Sequence, residues 1–137
     1  MNTQDAGARL SVNDMAEYII EIPSLPSEEL SPNARVYYHE KNDHMALDKS
    51  DLIAYFDKKY RRPSKLLTSV KIELMFVVDK RRRDWDNLAA RSKGFLDGLV
   101  KLVIVDDNTN IVKELVLKKK EKKKGETPWT IITISEI

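Results

Sequence analysis

Two aspartates separated by one residue, Asp84 and Asp86, are the side chains of this 137-residue sequence that best suit metal-dependent chemistry. In an extended segment the side chains of residues i and i+2 leave the same face, so both carboxylates would reach one point while Trp85 turns towards packing. Neighbouring carboxylates repel unless a cation lies between them, and oxygen ligands suit Mg²⁺, for which Mn²⁺ can substitute. Taken singly, either aspartate could instead be a helix N-cap.

Basic residues surround this acidic pair. Residues 80–124 contain 14 lysines and arginines against seven acidic residues, a net charge of +7, whereas residues 1–79 have a net charge of −3. Such asymmetry is typical of a protein that binds nucleic acid. The candidate phosphate-binding residues are Lys80, Arg81, Arg82, Arg83, Lys118, Lys119, Lys120, Lys122, Lys123 and Lys124. The lysine-rich run alone is also typical of a solvated hairpin tip that protects a strand edge.

A second acidic pair, Asp106 and Asp107, follows the helix that Asp86 is expected to begin. A strand, a helix and a return loop could bring the two acidic pairs to neighbouring ends of the fold. Adjacent side chains diverge in an extended turn, so only one member of the second pair is expected to meet the ion.

Three segments, RRRDWDNL, KGFLDGL and VDDNTNIV, occur in this order in the sequence. Together they resemble the RusA-type family of Holliday junction resolvases, and three motifs in order are more specific than any one of them. The resemblance is strong over the C-terminal half of the chain. It implies a magnesium-dependent homodimeric endonuclease in which Asp84 and Asp86 are catalytic acids. A further similarity is a proline-rich exit from the first strand, at Pro26, Pro32 and Asn33.

The resemblance also implies a lysine that assists the acids. This position is Lys93 if about one helical turn is inserted near residues 89–91, and it is Ala90 without that insertion. We predict Lys93, which a helix starting at Asp86 would place on the same side as that aspartate. Asp97 would pair with Lys93 and Lys101 and is expected to be structural.

The third acid of the family pattern is ambiguous in this sequence. Alignment on the acidic pair gives Asp107, whereas alignment on the Asn110-Ile111-Val112 end gives Asn108. We predict Asp107, with Asp106 in reserve. The predicted magnesium ligands are therefore Asp84, Asp86 and Asp107.

Composition and length limit the class of protein. The chain has no cysteine, which excludes disulfides and cysteine-ligated zinc and suits a reducing cytoplasm. Its two histidines, His39 and His44, are expected in an exposed loop. No segment resembles a signal peptide or has membrane-spanning length, so no membrane contact is expected. We expect a loose tail over residues 1–16 and one nuclease domain over residues 17–137.

Hydrophobic periodicity predicts an α/β (α+β) fold with helices packed against one mixed sheet, in the order β-α-β-α-β-β. The strands are predicted at residues 18–22, 69–79, 111–118 and 129–137, and the helices at residues 47–60 and 86–102. The last two strands are expected to form an antiparallel hairpin across the connection that contains Gly125.

These features predict magnesium-dependent hydrolysis of a phosphodiester in branched DNA, such as a four-way junction, by a symmetric dimer. One alternative is a branched-DNA-binding protein with weak or lost cleavage, which the insertion near Ala90 and the presence of Asn108 would suit. The other is a metal-dependent nucleotide hydrolase, although a small substrate would not need so many cations. Tyr37 and Tyr38 could stack on exposed bases, or one of them could pack against the core.

Overall fold

The structure, a computed structural model, describes residues 7–10, 15–32, 34 and 38–137. The strands are β1 (Arg9–Leu10), β2 (Ala16–Ile22), β3 (Val70–Val78), β4 (Val112–Glu121) and β5 (Trp129–Glu136). They form one mixed sheet in the order β1-β2-β5-β3-β4. The helices are a 3-10 helix (Glu28–Leu30), α1 (Tyr38–Lys59), α2 (Trp85–Arg91) and α3 (Lys93–Leu99). The predicted α+β fold, a single domain with helices packed on a mixed sheet, is confirmed.

Strand β3 is the centre of the hydrophobic core. Its alternating side chains are completely buried: Val70, Ile72, Leu74, Phe76 and Val78. They belong to one apolar cluster with Phe56 of α1 and Phe95 of α3. Because alternate residues of a strand share one face, this pattern buries a full row of side chains beneath the helices.

The predicted hairpin between the last two strands is wrong. Strand β3 lies between them, parallel to β4 and antiparallel to β5. The other face of β3 carries Lys71, Glu73, Met75 and Val77, of which only Val77 is buried, so the central place of β3 follows from its single apolar row beneath the helices. In contrast, β4 exposes the lysines Lys118–Lys120, and charged side chains of this kind suit an edge strand. The connection from β4 to β5 therefore crosses the C-terminal end of β3.

The order of elements differs from the prediction at two places. Arg9 and Leu10, within the segment expected to be a loose tail, pair with β2 as a short strand. The helix predicted over residues 86–102 is divided at Ser92 and ends at Leu99. The buried Ser92 hydroxyl donates to the Leu88 carbonyl at 2.7 Å, and a bond of this kind to residue i−4 bends a helix.

Helix α1 begins nine residues earlier than predicted, and it contains His39 and His44, which were expected in a loop. It packs closely on α3. A Cβ atom at Gly94 would lie 2.8 Å from the Asp48 Cβ, and one at Gly98 would lie 2.8 Å from the Leu52 Cδ2. The absence of side chains at these two positions therefore permits the approach of the helices.

None of the helices in the described ranges is long and apolar enough to cross a membrane. Asn33 and Tyr37, which the sequence singled out, lie outside the described residues. Tyr38, the first residue of α1, is 74% exposed and is not packed against the core.

Candidate functional site

A cleft of 610 Å³ lies between the 3-10 helix and α2, beyond the C-terminal end of β3. Helix α2 and its N-cap contribute Asp84, Asn87, Leu88 and Arg91, whose spacing of three, four and seven residues places them on one helical face. The opposite wall carries acidic and small side chains, and the connection after β3 contributes arginines. These remaining lining residues are Glu28, Glu29, Ser31, Ala34, Arg81, Arg82 and Arg83.

Two charged side chains, the buried Asp48 and the half-buried Arg91, fix the chain just before the 3-10 helix. Asp48 of α1 accepts the backbone N–H of Ser27 at 2.9 Å and the Ser27 hydroxyl at 2.6 Å. Arg91 donates from Nη2 and Nε to the carbonyl of Pro26, at 2.7 and 3.2 Å. Burial raises the pKa of Asp48 although the Ser27 bonds act against it, and burial lowers the pKa of Arg91. Charge-assisted hydrogen bonds thus fix this wall to α1 through Asp48 and to α2 through Arg91.

The turn after β3 is held together by Asp79 and Arg83. The Arg83 Nη1 lies 2.8 Å from the Asp79 Oδ1, and the Arg83 side chain is only 9% exposed. The same Asp79 oxygen accepts the backbone N–H of Arg81 at 3.0 Å. The Arg83 guanidinium and then this N–H lower the pKa of Asp79. Arg83 therefore stabilises the turn, whereas Arg82, whose side chain is 93% exposed, is available to a ligand.

Asp84 and Asp86 do not share an extended face, so that expectation is wrong. The chain is extended only as far as Asp84, and Trp85 is already the first residue of α2. Residues two apart in a helix do not face each other. Asp84 lines the cleft 3.9 Å from the Arg82 guanidinium, whereas Asp86 is exposed and accepts the N–H of Asn87 at 3.0 Å. Trp85 is 48% exposed and is not packed against the core as predicted.

The two predicted basic segments meet at one end of the sheet. Residues Lys119–Glu121 of β4 pair with Phe76–Val78 of β3, and the N–H of Lys122 donates to the Val78 carbonyl. The Lys80 Nζ lies 3.8 Å from a Glu121 carboxylate oxygen. We name residues 80–83 and 119–124 the basic end. Lys118 lies just before it and pairs with Glu73 at 2.9 Å.

The second acidic pair lies at the opposite end of β3. The strand β4 that follows it is parallel to β3, and Val112 pairs with Val70, so residues 106–110 lie beyond the N-terminal end of β3. We name them the acidic loop. The nine residues of β3 separate its ends by roughly 26 Å, at about 3.3 Å per residue. The two acidic pairs are therefore not neighbours within one chain, because α2 and α3 return the chain to the start of β3.

Several acidic groups gather near the acidic loop. Partial burial raises the pKa of Asp107, and Asp106 and Asp97 raise it further. The Lys93 Nζ lies 3.4 Å from the Asp97 Oδ1, so this predicted catalytic lysine is associated with Asp97 and not with Asp86. Across the part of the chain that the structure describes, no three His, Cys, Asp or Glu side chains are grouped to hold a metal ion.

Sequence reasoning missed the residues that build the cleft wall. Arg91 could have been found, because it falls seven residues after Asp84 on the face that also carries Asn87. Glu28 and Glu29 gave no local signal, since they reach the cleft only through the fold of a proline-rich segment.

No protein-family model matches this chain, and comparison with curated proteins gives no significant match. The resemblance to RusA-type resolvases therefore stays a prediction from the sequence.

Proposed function

We propose that this protein is a magnesium-dependent endonuclease that cuts branched DNA, such as a four-way junction, at the cleft beside α2. One observation carries the proposal: three arginines of the basic end, at positions 81–83, line the same cleft as Asp84, and the lysines of β4 lie at the same end of the sheet. A polyanionic substrate must approach negative metal ligands, and the surrounding cations reduce that repulsion.

Exposed cations of the basic end would contact DNA phosphates. Arg81, Arg82 and Lys119 are exposed, as are Lys120, Lys123 and Lys124. They come from the turn after β3, from the edge strand β4 and from the connection that follows it, so the cations extend well beyond the cleft. Such contacts position the duplex without reading its sequence. A surface of this kind suits DNA better than a free nucleotide.

Asp84 and Asp86 suit a hard cation. Asp84 makes no capping hydrogen bond to α2 through its side chain, and its carboxylate is 57% exposed. Asp86 is also exposed, in the first turn of the same helix. Bound magnesium or manganese would stabilise charge on the phosphoryl oxygen and lower the pKa of a bound water. Both carboxylates belong to the end of the sheet where DNA would lie.

Asp107 can join these ligands only from a second copy of the chain. The acidic loop is on the far side of β3, whereas a two-fold dimer can place opposite ends of its two subunits together. Lys93 would accompany Asp107, since Lys93 pairs with Asp97 and the charge of Asp97 contributes to the raised pKa of Asp107. A four-way junction also has two-fold symmetry, and its paired cuts require two equivalent sites. A symmetric homodimer is therefore part of this proposal.

A second candidate function is binding of branched DNA without efficient cleavage. The separation of the acidic loop from the basic end favours it, because one chain then offers only two of the three predicted ligands. The basic end would bind phosphates equally well in either case.

Both functions are tested by incubating a labelled four-way junction and a linear duplex of equal length with the protein, in magnesium and in chelator. We expect nicks in the junction only with magnesium. Asp86→Asn should stop nicking and keep or tighten binding, because it removes a metal ligand and a charge that repels phosphate. Asp43→Asn, at an exposed acid of α1, is the matched control.

Nicking by the Asp86→Asn variant at the wild-type rate would exclude Asp86 from the site. Binding of the junction by the wild-type protein with no nicking in magnesium or manganese would favour the second candidate.

A further inference from the structure

Trp85 is a half-exposed tryptophan that lies outside the hydrophobic core. Its side chain is 48% exposed although indole is among the largest apolar groups, and it is absent from the core cluster. The other tryptophan, Trp129, lies in β5 with a buried indole nitrogen. Burial of a large side chain stabilises a fold by about 1.5–3 kcal/mol, so an exposed tryptophan gives up much of that gain.

The position of Trp85 is specific. It follows Asp84, which lines the cleft, and it stands at the first position of α2, three residues after the exposed Arg82. Trp85 itself does not line the cleft. Trp85 therefore stands next in the chain to Asp84 and close to Arg82, two residues that would meet a ligand held at the cleft.

We infer that Trp85 stacks on an unpaired nucleobase at the branch point of the DNA and thereby distinguishes branched from linear DNA; this inference rests on the proposed function. Every nucleobase offers a flat π-face, and stacking on an aromatic side chain requires no particular base sequence. In a linear duplex both faces of each base are already stacked. A base left unpaired or unstacked at a branch point has a free face, so branched DNA with such a base gains this contact and a linear duplex does not.

A nucleobase fits the surroundings better than a lipid surface. Trp85 is a single exposed aromatic residue between two exposed acids, Asp84 and Asp86, whereas a membrane-binding surface needs a larger apolar area. The basic end can hold the phosphates of a nucleic acid on one side while the ring contacts a base on the other. The ring then provides selectivity for structure, and the cations provide affinity.

Fluorescence can report this contact directly, since the chain contains only two tryptophans. The variant Trp129→Phe leaves Trp85 as the only tryptophan, and the variant Trp85→Phe leaves the partly buried Trp129 as a control. Each is titrated in chelator, so that DNA is not cut, with a branched duplex that carries two unpaired thymines at the branch. The same duplex with abasic sites at those two positions keeps the phosphates and removes the bases.

We expect the branched duplex to quench Trp85, whereas the abasic duplex and a linear duplex bind without quenching it. Trp129 should not respond to any of the three. Trp85→Ala should reduce the preference for branched over linear DNA by about tenfold or more, with an unchanged salt dependence, and Trp85→Phe should retain most of it.

Binding of branched DNA with no change in Trp85 emission and an unchanged preference in Trp85→Ala would overturn the inference and leave the proposed nuclease function standing. A response of Trp85 to anionic phospholipid vesicles and not to branched DNA would also overturn it. Failure to bind any DNA would remove the proposed function as well.

Discussion

The two ends of β3 place acidic side chains in opposite electrostatic surroundings, which shift their pKa values in opposite directions. At the C-terminal end, Asp79 is paired with Arg83 at 2.8 Å, and this guanidinium lowers its pKa. At the N-terminal end, partial burial raises the pKa of Asp107, and its neighbours Asp106 and Asp97 raise it further. One end therefore stabilises a carboxylate by pairing it with a cation, and the other destabilises one through burial and like charges.

The difference shows why motif order is a poor guide to distance. Both acidic pairs lie in the helical connection between β3 and β4, two strands that are parallel and adjacent. In such a unit the helices return the chain to the start of the first strand, so residues after the first strand and before the second lie at opposite ends. A shared metal site then requires two chains, and the charges of the two ends are complementary.

Complementation between subunits provides the largest effect that can test this comparison. We expect Asp84→Asn and Asp107→Asn each to lower the nicking rate of a four-way junction roughly a hundredfold or more, because each removes a metal ligand. A mixture of the two variants, refolded together, should regain nicking. Half of randomly formed dimers then contain both variants, and one of their two sites is intact, so about a quarter of the wild-type rate is expected.

The unmixed variants at the same total concentration are the control for this experiment. Wild-type nicking by Asp107→Asn alone would show that the acidic loop takes no part. Two inactive variants that stay inactive when mixed would argue against a site shared between chains. Asn108→Asp can be tested beside them, and a large gain in its activity would move the third ligand to position 108.

A smaller effect is expected on the salt dependence of DNA binding, which should change when cations are removed from one end of β3 and not from the other. In the double variant Arg81→Ala/Arg82→Ala, the slope of log affinity against log salt should fall by about two, since each lost phosphate contact removes about one. Arg83 is kept, because its replacement would break the pair with Asp79. Lys101→Ala/Lys113→Ala removes two exposed lysines from the other end and should leave the slope unchanged. Equal slopes for both double variants would show that DNA does not select the basic end.

Much of the fold followed from periodicity. Strand β3 was predicted within one residue at each end, because its alternation of apolar side chains is uninterrupted from Val70 to Val78. Periodicity describes one element at a time, however, and does not state which strands are neighbours. The insertion of β3 between β4 and β5 depends on how the whole core is covered, which no single segment reveals.

The candidate site was harder to predict because local helical spacing brings some of its residues together, whereas packing between distant segments positions the others. The basic run and Asp84 were recognisable as residue types, and the face formed with Arg91 required only the helical repeat. The Asp48 contact with Ser27 depends on the packing of α1, and the bend at Ser92 depends on one hydrogen bond. Neither has a strong signal in the sequence. Trp85 was assigned to packing because the helix was expected to begin one residue later.

The smallest expected effect is on the free energy of unfolding. The contributions of Asp79 and Asp107 to it should change with pH in opposite directions. The pKa of Asp79 is below its ordinary value of 3.8, so its ionised form stabilises the fold above that pH and the contribution disappears as the pH falls through the lowered pKa. The pKa of Asp107 is above 3.8, so its ionisation destabilises the fold, and this penalty develops as the pH rises from 3.8 through the raised pKa.

Urea unfolding of Asp79→Asn and Asp107→Asn at several pH values measures both contributions. At pH 7 we expect Asp79→Asn to lower the free energy of unfolding and Asp107→Asn to raise it slightly. Towards acid pH, Asp107→Asn should approach the wild-type protein first, below 3.8, and Asp79→Asn only as the pH falls through the lowered pKa of Asp79. The effects should be small because both carboxylates are accessible to water, and added salt should reduce them. A loss of stability in Asp107→Asn at pH 7 would mean that its carboxylate is already satisfied within the acidic loop. The crowding of charge at that end would then be no reason for it to bind a cation.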